Sequence, residues 1–424
     1  MVRINKLTNL LFGFLICIMP FQYYIFNLFL KEVPILSLTR DALIIVLIIL
    51  LLSRPNKYIN KTDIMIAMSI FIIIIYTIIS IESIKYSPQT WNICRTYVMP
   101  MLIFFIGHNI DIDLDEYRKI MKLIIVEYFL ISIYGIYQAF FLGADFLIKI
   151  GYPSQNGSLA GTSYYIGGFY GNQRAVGTFI SPNIFSTLLV MVIVIAILNK
   201  KLLFTKNYMY YGTISVLILG LLSTFSRSAF LELIIVLLLS NLNKKISIYK
   251  TLNYFIFCIL IVGIFAIIDS LFFDKVFSNM LFSLIRNTFN NNDASASRHF
   301  QDLVLPVKII GENIFGTGFG NGPMAISTNN NALTVENSYY LMFYDLGLFG
   351  GIMYFLSYIY TLVRCWNEKY QLGKLCKYII IVTLINYIML PNVQTFEVPF
   401  YTFLIMGLFY NKNLKEYVEK GNNI

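Results

Sequence analysis

Apolar windows long enough to be membrane helices follow one another along nearly the whole chain, and this succession constrains the fold more than any other feature. They fall near residues 8–30, 36–53, 62–81, 93–109, 120–142, 178–198, 208–225, 228–242, 251–273, 338–363, 375–391 and 398–411. About 20 apolar residues carry a helix across the hydrocarbon, where a backbone must satisfy its own hydrogen bonds. The pattern predicts an all-α polytopic membrane helix bundle of about 12 transmembrane helices, forming one membrane domain over residues 1–424. Windows 36–53 and 228–242 are short, and a re-entrant segment at either would invert everything beyond it. Composition points the same way: 58% of residues are hydrophobic and 13% charged, whereas soluble domains are about a quarter charged.

The net charge of +10 raises a nucleic-acid reading, but Lys and Arg lie between apolar runs rather than on one polar face. No nucleic-acid partner is implied; the lipid bilayer is. With a cytoplasmic N-terminus, the short basic connectors (Arg54, Lys57 and Lys61; Arg118, Lys119 and Lys122; Lys200, Lys201 and Lys206) all fall inside, as cytoplasmic loops do. Both termini are then cytoplasmic and the long loop 274–337 is extracytoplasmic. The cations left outside are Lys31, Arg40, Lys85, Arg95, Lys149, Arg174, Arg227, Lys275, Arg286, Arg298 and Lys308. Arginine is prominent among them, and its planar fork suits phosphate or carboxylate.

The start of the chain, Arg3 to Lys6 followed by Leu10–Leu15, resembles a signal peptide without a small-residue cleavage site, and reads as a retained first helix. The five cysteines, Cys17, Cys94, Cys258, Cys365 and Cys376, are scattered and imply no disulfide framework. His108 and His299 are the only histidines, too few and too far apart for a metal centre. The sequence implies no metal and no cofactor.

The long loop holds two amphipathic patterns at helical spacing, Phe277 to Thr288 and Phe300 to Ile310, with Pro306 as a kink. Four stretches carry candidate chemistry. Arg174 precedes a span, where helix amides and dipole favour an anion; an interfacial anchor is the plain alternative. Arg227 stands in Ser223–Phe230 with almost no loop around it, either facing the protein interior or lying in a hairpin turn. Arg298 and His299 lead toward glycines 316, 318 and 320, which read as a tight turn; His299 by itself reads as a surface histidine. Glu336–Asn337–Ser338–Tyr339–Tyr340 opens a helix, so Glu336 is either a cap or a general base. Asp345 beyond it is a partner for an outer arginine, and Gly347, Gly350 and Gly351 allow close packing. Tyr164–Tyr170 offers aromatic faces for sugars or an interfacial belt.

These residues resemble the O-antigen polymerase and ligase superfamily of bacterial envelope enzymes. Arg174-Ala175-Val176-Gly177-Thr178-Phe179 with Pro182-Asn183 is similar to the family's Arg-x-x-Gly-Thr-Phe and Pro-Asn segment, and Thr224-Phe225-Ser226-Arg227-Ser228 to its Thr-x-Ser-Arg turn. Arg298, the glycines at 316–320, Asn337-x-Tyr339 and Gly347-x-x-Gly350 follow in the family's order. Ligases typically place a histidine before the helix-opening asparagine; Glu336 stands here, which favours a polymerase.

The resemblance implies a metal-independent glycosyltransferase in the bacterial cytoplasmic (inner) membrane, active in polysaccharide biosynthesis. A growing glycan would leave undecaprenyl diphosphate for a lipid-linked repeat unit on the outer face, with a chain-length regulator and a flippase as partners. Catalytic roles fall on Glu336, Arg298 and Arg227, and substrate binding on Arg174, Arg286, His299, Asn337, Tyr339 and Tyr340. The competing expectations are a ligase passing finished glycan to lipid A core or protein, a lipid-linked oligosaccharide flippase, and a membrane scaffold.

Overall fold

The computed structural model describes residues 2–30, 33–53, 59–83, 87–155, 158–159, 162–165, 173–242, 311, 314–319 and 337–419. Window 251–273, both amphipathic patterns, Pro306, Arg286, Arg298, His299 and Glu336 lie outside the described residues. In chain order the described helices are α1 (Val2–Ile18), α2 (Thr39–Leu52), α3 (Lys61–Ser83), α4 (Ser87–Asn109), α5 (Leu114–Tyr137), α6 (Gly143–Lys149), α7 (Pro182–Leu198), α8 (Lys200–Leu203), α9 (Asn207–Ser223), α10 (Arg227–Leu242), α11 (Ser338–Trp366), α12 (Gln371–Met389), α13 (Glu397–Tyr410) and α14 (Lys412–Glu419). Among the described residues, four helical stretches are long and apolar enough to cross a membrane: Lys61–Ser80, Leu114–Lys149, Ser338–Trp366 and Gln371–Met389. The only paired strands among the described residues are β1 (Ser154–Gln155) and β2 (Ser158–Leu159), an antiparallel hairpin.

The helix starts follow local chemistry. Asn60 opens α3 by accepting from the amides of Thr62 and Asp63. Asp113 and Glu116 open α5 as a reciprocal capping box, each side chain accepting from the other's amide at 2.8 and 3.3 Å. Ser181 accepts from the Asn183 amide, with Pro182 at the first position of α7.

The chain divides into two compact units, Met1–Leu15, Thr39–Arg118 and Arg298–Ile424 in one, and Ile16–Leu38 and Lys119–Ser297 in the other. In the first, α4 and α13 approach closely because Gly107 faces Gly407; a Cβ on Gly407 would lie 2.4 Å from the Phe104 carbonyl oxygen. Asn411 then ties the end of α13 to that of α4 by donating to the carbonyls of Gly107 and Ile110. Beside them α11 packs between α3 and α12.

The helix α11 is broken. Gly347 has φ +65, and the freed backbone groups are taken by the short segment 314–319. The Thr317 and Gly318 amides donate to the carbonyls of Tyr344 and Asp345, and the Leu348 amide to that of Ile314. Apolar surroundings make such replacement partners obligatory wherever a buried helix is interrupted.

In the second unit α7 is buried almost all round and packs on α9 and α10. α9 meets the α5 segment of this unit where Gly220 faces Ser132, leaving no room for a methyl group. A smaller cluster of Leu28, Leu147, Tyr152, Leu159, Tyr164, Tyr165 and Val176 supports the segment carrying Arg174.

Candidate functional site

The main chain around Arg174 is tied into the second unit. Its amide donates to the Tyr164 carbonyl at 2.9 Å, and the next amide, of Ala175, to the Ser223 carbonyl at 2.9 Å. The following two amides, of Val176 and Gly177, both donate to Gln138 Oε1 at 3.1 and 3.0 Å. Gln138 is fully buried and starts a short π-helical turn, Gln138–Leu142, at the end of α5. Such turns are frequent at functional sites.

The guanidinium is fixed just as firmly. Nε donates to the Thr224 carbonyl at 2.6 Å, Nη1 to the Ser163 carbonyl at 2.8 Å, and Nη2 to Asn183 Oδ1 at 2.7 Å. Two of its five N–H donors have no acceptor among the described residues. Every one of these acceptors is neutral. The ion pairs among the described residues are Arg40–Asp41, Arg95–Asp41, His108–Asp63 and Arg118–Asp115, so none compensates Arg174. Burial and, second, the nearby charge of Arg227 push its pKa down to about 9, which still leaves it protonated at neutral pH.

Arg227 begins α10 and is exposed. The turn before it is unusual: Phe225 has φ +50, the one positive φ at a non-glycine among the described residues, and such strain costs of order 1–3 kcal/mol. The turn releases the last carbonyls of α9, which helix ends leave without intrahelical donors. Those of Ser223 and Thr224 go to Ala175 and Arg174. The two sequence stretches singled out around Arg174 and Arg227 are thus one structural feature. It can receive an anion at a guanidinium that no described carboxylate compensates, near the N-terminus of α10.

The residues opening α11 are committed to the fold. Asn337 is the helix cap, accepting from the amides of Tyr339 and Tyr340 at 2.9 and 3.1 Å, and it donates to the Ile388 carbonyl at 2.7 Å. The cap position is taken by Asn337, and Glu336 lies outside the described residues. Tyr339 donates its hydroxyl to the Leu384 carbonyl and packs its ring on Phe355. Tyr340 is half-buried in the same turn.

Asp345 pairs with no arginine among the described residues: its Oδ2 accepts from the Tyr97 hydroxyl at 3.1 Å and from Gln394 Nε2 at 2.8 Å. In a fully buried place, neutral donors avoid desolvating a second charge. Of the Tyr164–Tyr170 stretch, residues 166–170 lie outside the described residues, and Tyr164 and Tyr165 offer no ring faces to a sugar. Both are buried, and their hydroxyls bond the Ile180 carbonyl and the Leu159 amide.

The sequence reading missed Gln138 and Asn183 as supports, and a buried ionic cluster in the first unit. There Arg40 lies 3.4 Å over the Phe396 ring and contacts Asp41 at 3.1 Å, with Arg95 at 3.4 Å from the other Asp41 oxygen and Glu397 close to Arg40. Its charges balance. The signals were a lone amide in an apolar run and an Arg-Asp pair opening a helix.

The described residues thus define a mostly helical protein with helices suited to a membrane and an arginine site at helix ends. Neither the models of known protein families nor the curated proteins contain a match to this sequence.

Proposed function

We propose that this protein is a polysaccharide repeat-unit polymerase of the bacterial cytoplasmic membrane, in which the Arg174–Arg227 feature binds the diphosphate of a lipid-linked glycan. The observation that carries the reading is Arg174: immobilised by three neutral acceptors, without a compensating carboxylate among the described residues and near a second arginine. In the proposed reaction an acceptor hydroxyl oxygen forms a bond to the anomeric carbon while the bond from that carbon to the diphosphate breaks. Undecaprenyl diphosphate departs with the electron pair, and the arginines neutralise the charge that develops on it. In the roles the resemblance implies, Glu336 takes the hydroxyl proton, Arg298 serves the catalysis, and Arg286 and His299 bind substrate. In the same proposal the helices form about 12 spans, with both termini cytoplasmic and the 274–337 loop outside. Polymerisation of purified lipid-linked repeats by the reconstituted chain tests it; repeats that stay single throughout oppose it.

A second reading, a lipid-linked oligosaccharide flippase, is favoured by one observation, the interruption of α11 beside the buried Asp345. Broken helices recur at the substrate sites of transporters. Reconstituted vesicles separate the two, because a flippase moves repeats across the bilayer without lengthening them.

A further inference from the structure

The availability of Arg174's charge depends on one side chain. Two of the three groups holding its guanidinium, the carbonyls of Ser163 and Thr224, are main chain and stay neutral whatever the sequence. The third is Asn183 Oδ1, at 2.7 Å from Nη2. A guanidinium only donates, so the contacting atom is the amide oxygen. Asn183 is itself fixed as the second residue of α7: its amide donates to the Ser181 hydroxyl, and its carbonyl accepts from Ser186 and Thr187. Aspartate would fit this place and reach the same nitrogen, but would bring a negative charge onto the guanidinium.

We infer that Asn183 is the positioning residue that makes this an anion site: its neutral oxygen fixes the plane of the Arg174 guanidinium while leaving the positive charge for a diphosphate group. The inference rests on the anion-binding reading of Arg174 and extends it, because it says what keeps the site selective for anions. A carboxylate at 183 would satisfy the same donor and keep the local fold, yet cancel the charge a phosphate oxygen needs.

The experiment is calorimetric titration of the full-length protein in detergent with two probes, inorganic diphosphate and undecaprenyl diphosphate. Wild type, Asn183→Asp and Asn183→Ala are compared, with the thermal midpoint of each. The wild type binds both probes. Asn183→Asp binds each about tenfold or more weakly, while its midpoint is no lower than wild type, since it gains an ion pair. Asn183→Ala loses orientation but keeps the charge, so it binds better than Asn183→Asp. Equal losses in the two variants would mean that Asn183 only supports the fold, and would overturn the inference. So would Asn183→Asp binding as tightly as wild type; that result leaves the diphosphate reading of Arg174 standing. The same order is expected with both probes, and an order seen with the lipid alone would assign the effect to the polyprenyl chain and overturn the inference. A wild type that binds neither probe removes the anion reading itself.

Discussion

Gly316 and Gly347 meet backbone to backbone: a Cβ on Gly316 would fall 2.3 Å from the Gly347 nitrogen, and one on Gly347 would fall 2.4 Å from the Phe315 carbonyl carbon. Both residues have positive φ, +78 and +65. A side chain at either position meets a steric wall and an unfavourable backbone region together. Gly347→Ala and Gly316→Ala are each expected to destabilise by about 1–3 kcal/mol or more. The double variant should cost less than the sum, because either substitution already separates the two strands of backbone. Thermal unfolding in detergent measures this, and strictly additive effects would mean the two glycines act independently.

The arginine pair predicts a contrast between charge and shape. Arg174→Lys keeps a cation but cannot reach the carbonyls of Ser163 and Thr224 and the Asn183 amide together. It is expected to lose most polymer formation and also some thermal stability, since acceptors are left without donors. Arg227 is exposed at the start of α10, so Arg227→Lys should lower activity with little change in stability. Glycan length on gels and unfolding midpoints, taken at matched expression, separate the two. Full polymer length in both variants would count against diphosphate recognition by this pair.

Helix placement was legible in the sequence because hydropathy reports burial in lipid or protein over a whole window. The break in α11 was not, because averaging passes over a single glycine; only its contact with 314–319 turns Gly347 from a packing residue into an interruption. Arg174 and Arg227 stood out as charges among apolar residues, yet their junction depends on a strained turn at Phe225 that no spacing rule contains. Gln138 and Asn183 were hidden for a simpler reason. A neutral amide acquires meaning only from what it bonds, and Val176, Gly177 and Arg174 are named only by the fold. The neutral partners of Asp345, Tyr97 and Gln394, were not legible either, because they lie far from it in sequence.

Asp345 carries the next prediction. Its Oδ2 accepts from both Tyr97 and Gln394 inside the first unit. Asp345→Asn retains an acceptor of the same shape and is expected to fold. Asp345→Leu leaves two buried donors without an acceptor, at about 1–3 kcal/mol each, and should lower the unfolding midpoint clearly. Rescue by removing one donor, in Asp345→Leu with Gln394→Leu, checks that the cost lies in those bonds. No gain in the double variant would place the cost elsewhere.

The lowered pKa of Arg174 gives a pH dependence whose sign can be worked out. Burial, and then Arg227, bring the folded value down to about 9, well below that of an ordinary arginine. A cation whose folded pKa is depressed is disfavoured in the folded state wherever it is charged in both states. That penalty is constant below about pH 9 and is relieved as pH rises through it, while the unfolded chain keeps its proton. Arg174 should therefore add no pH dependence to stability between pH 6 and 8, and a small gain above 9. Anion binding should run the opposite way: flat from pH 6 to 8 and weakening above about 9 as the positive charge is lost. A disulfonate is the suitable probe, because its own charge does not change over this range. Arg227→Ala removes the second cause, so the decline in that variant should move to higher pH. Calorimetric titration across pH 6 to 10.5 measures both curves, and an unmoved decline in Arg227→Ala would show that the two guanidiniums do not sense one another.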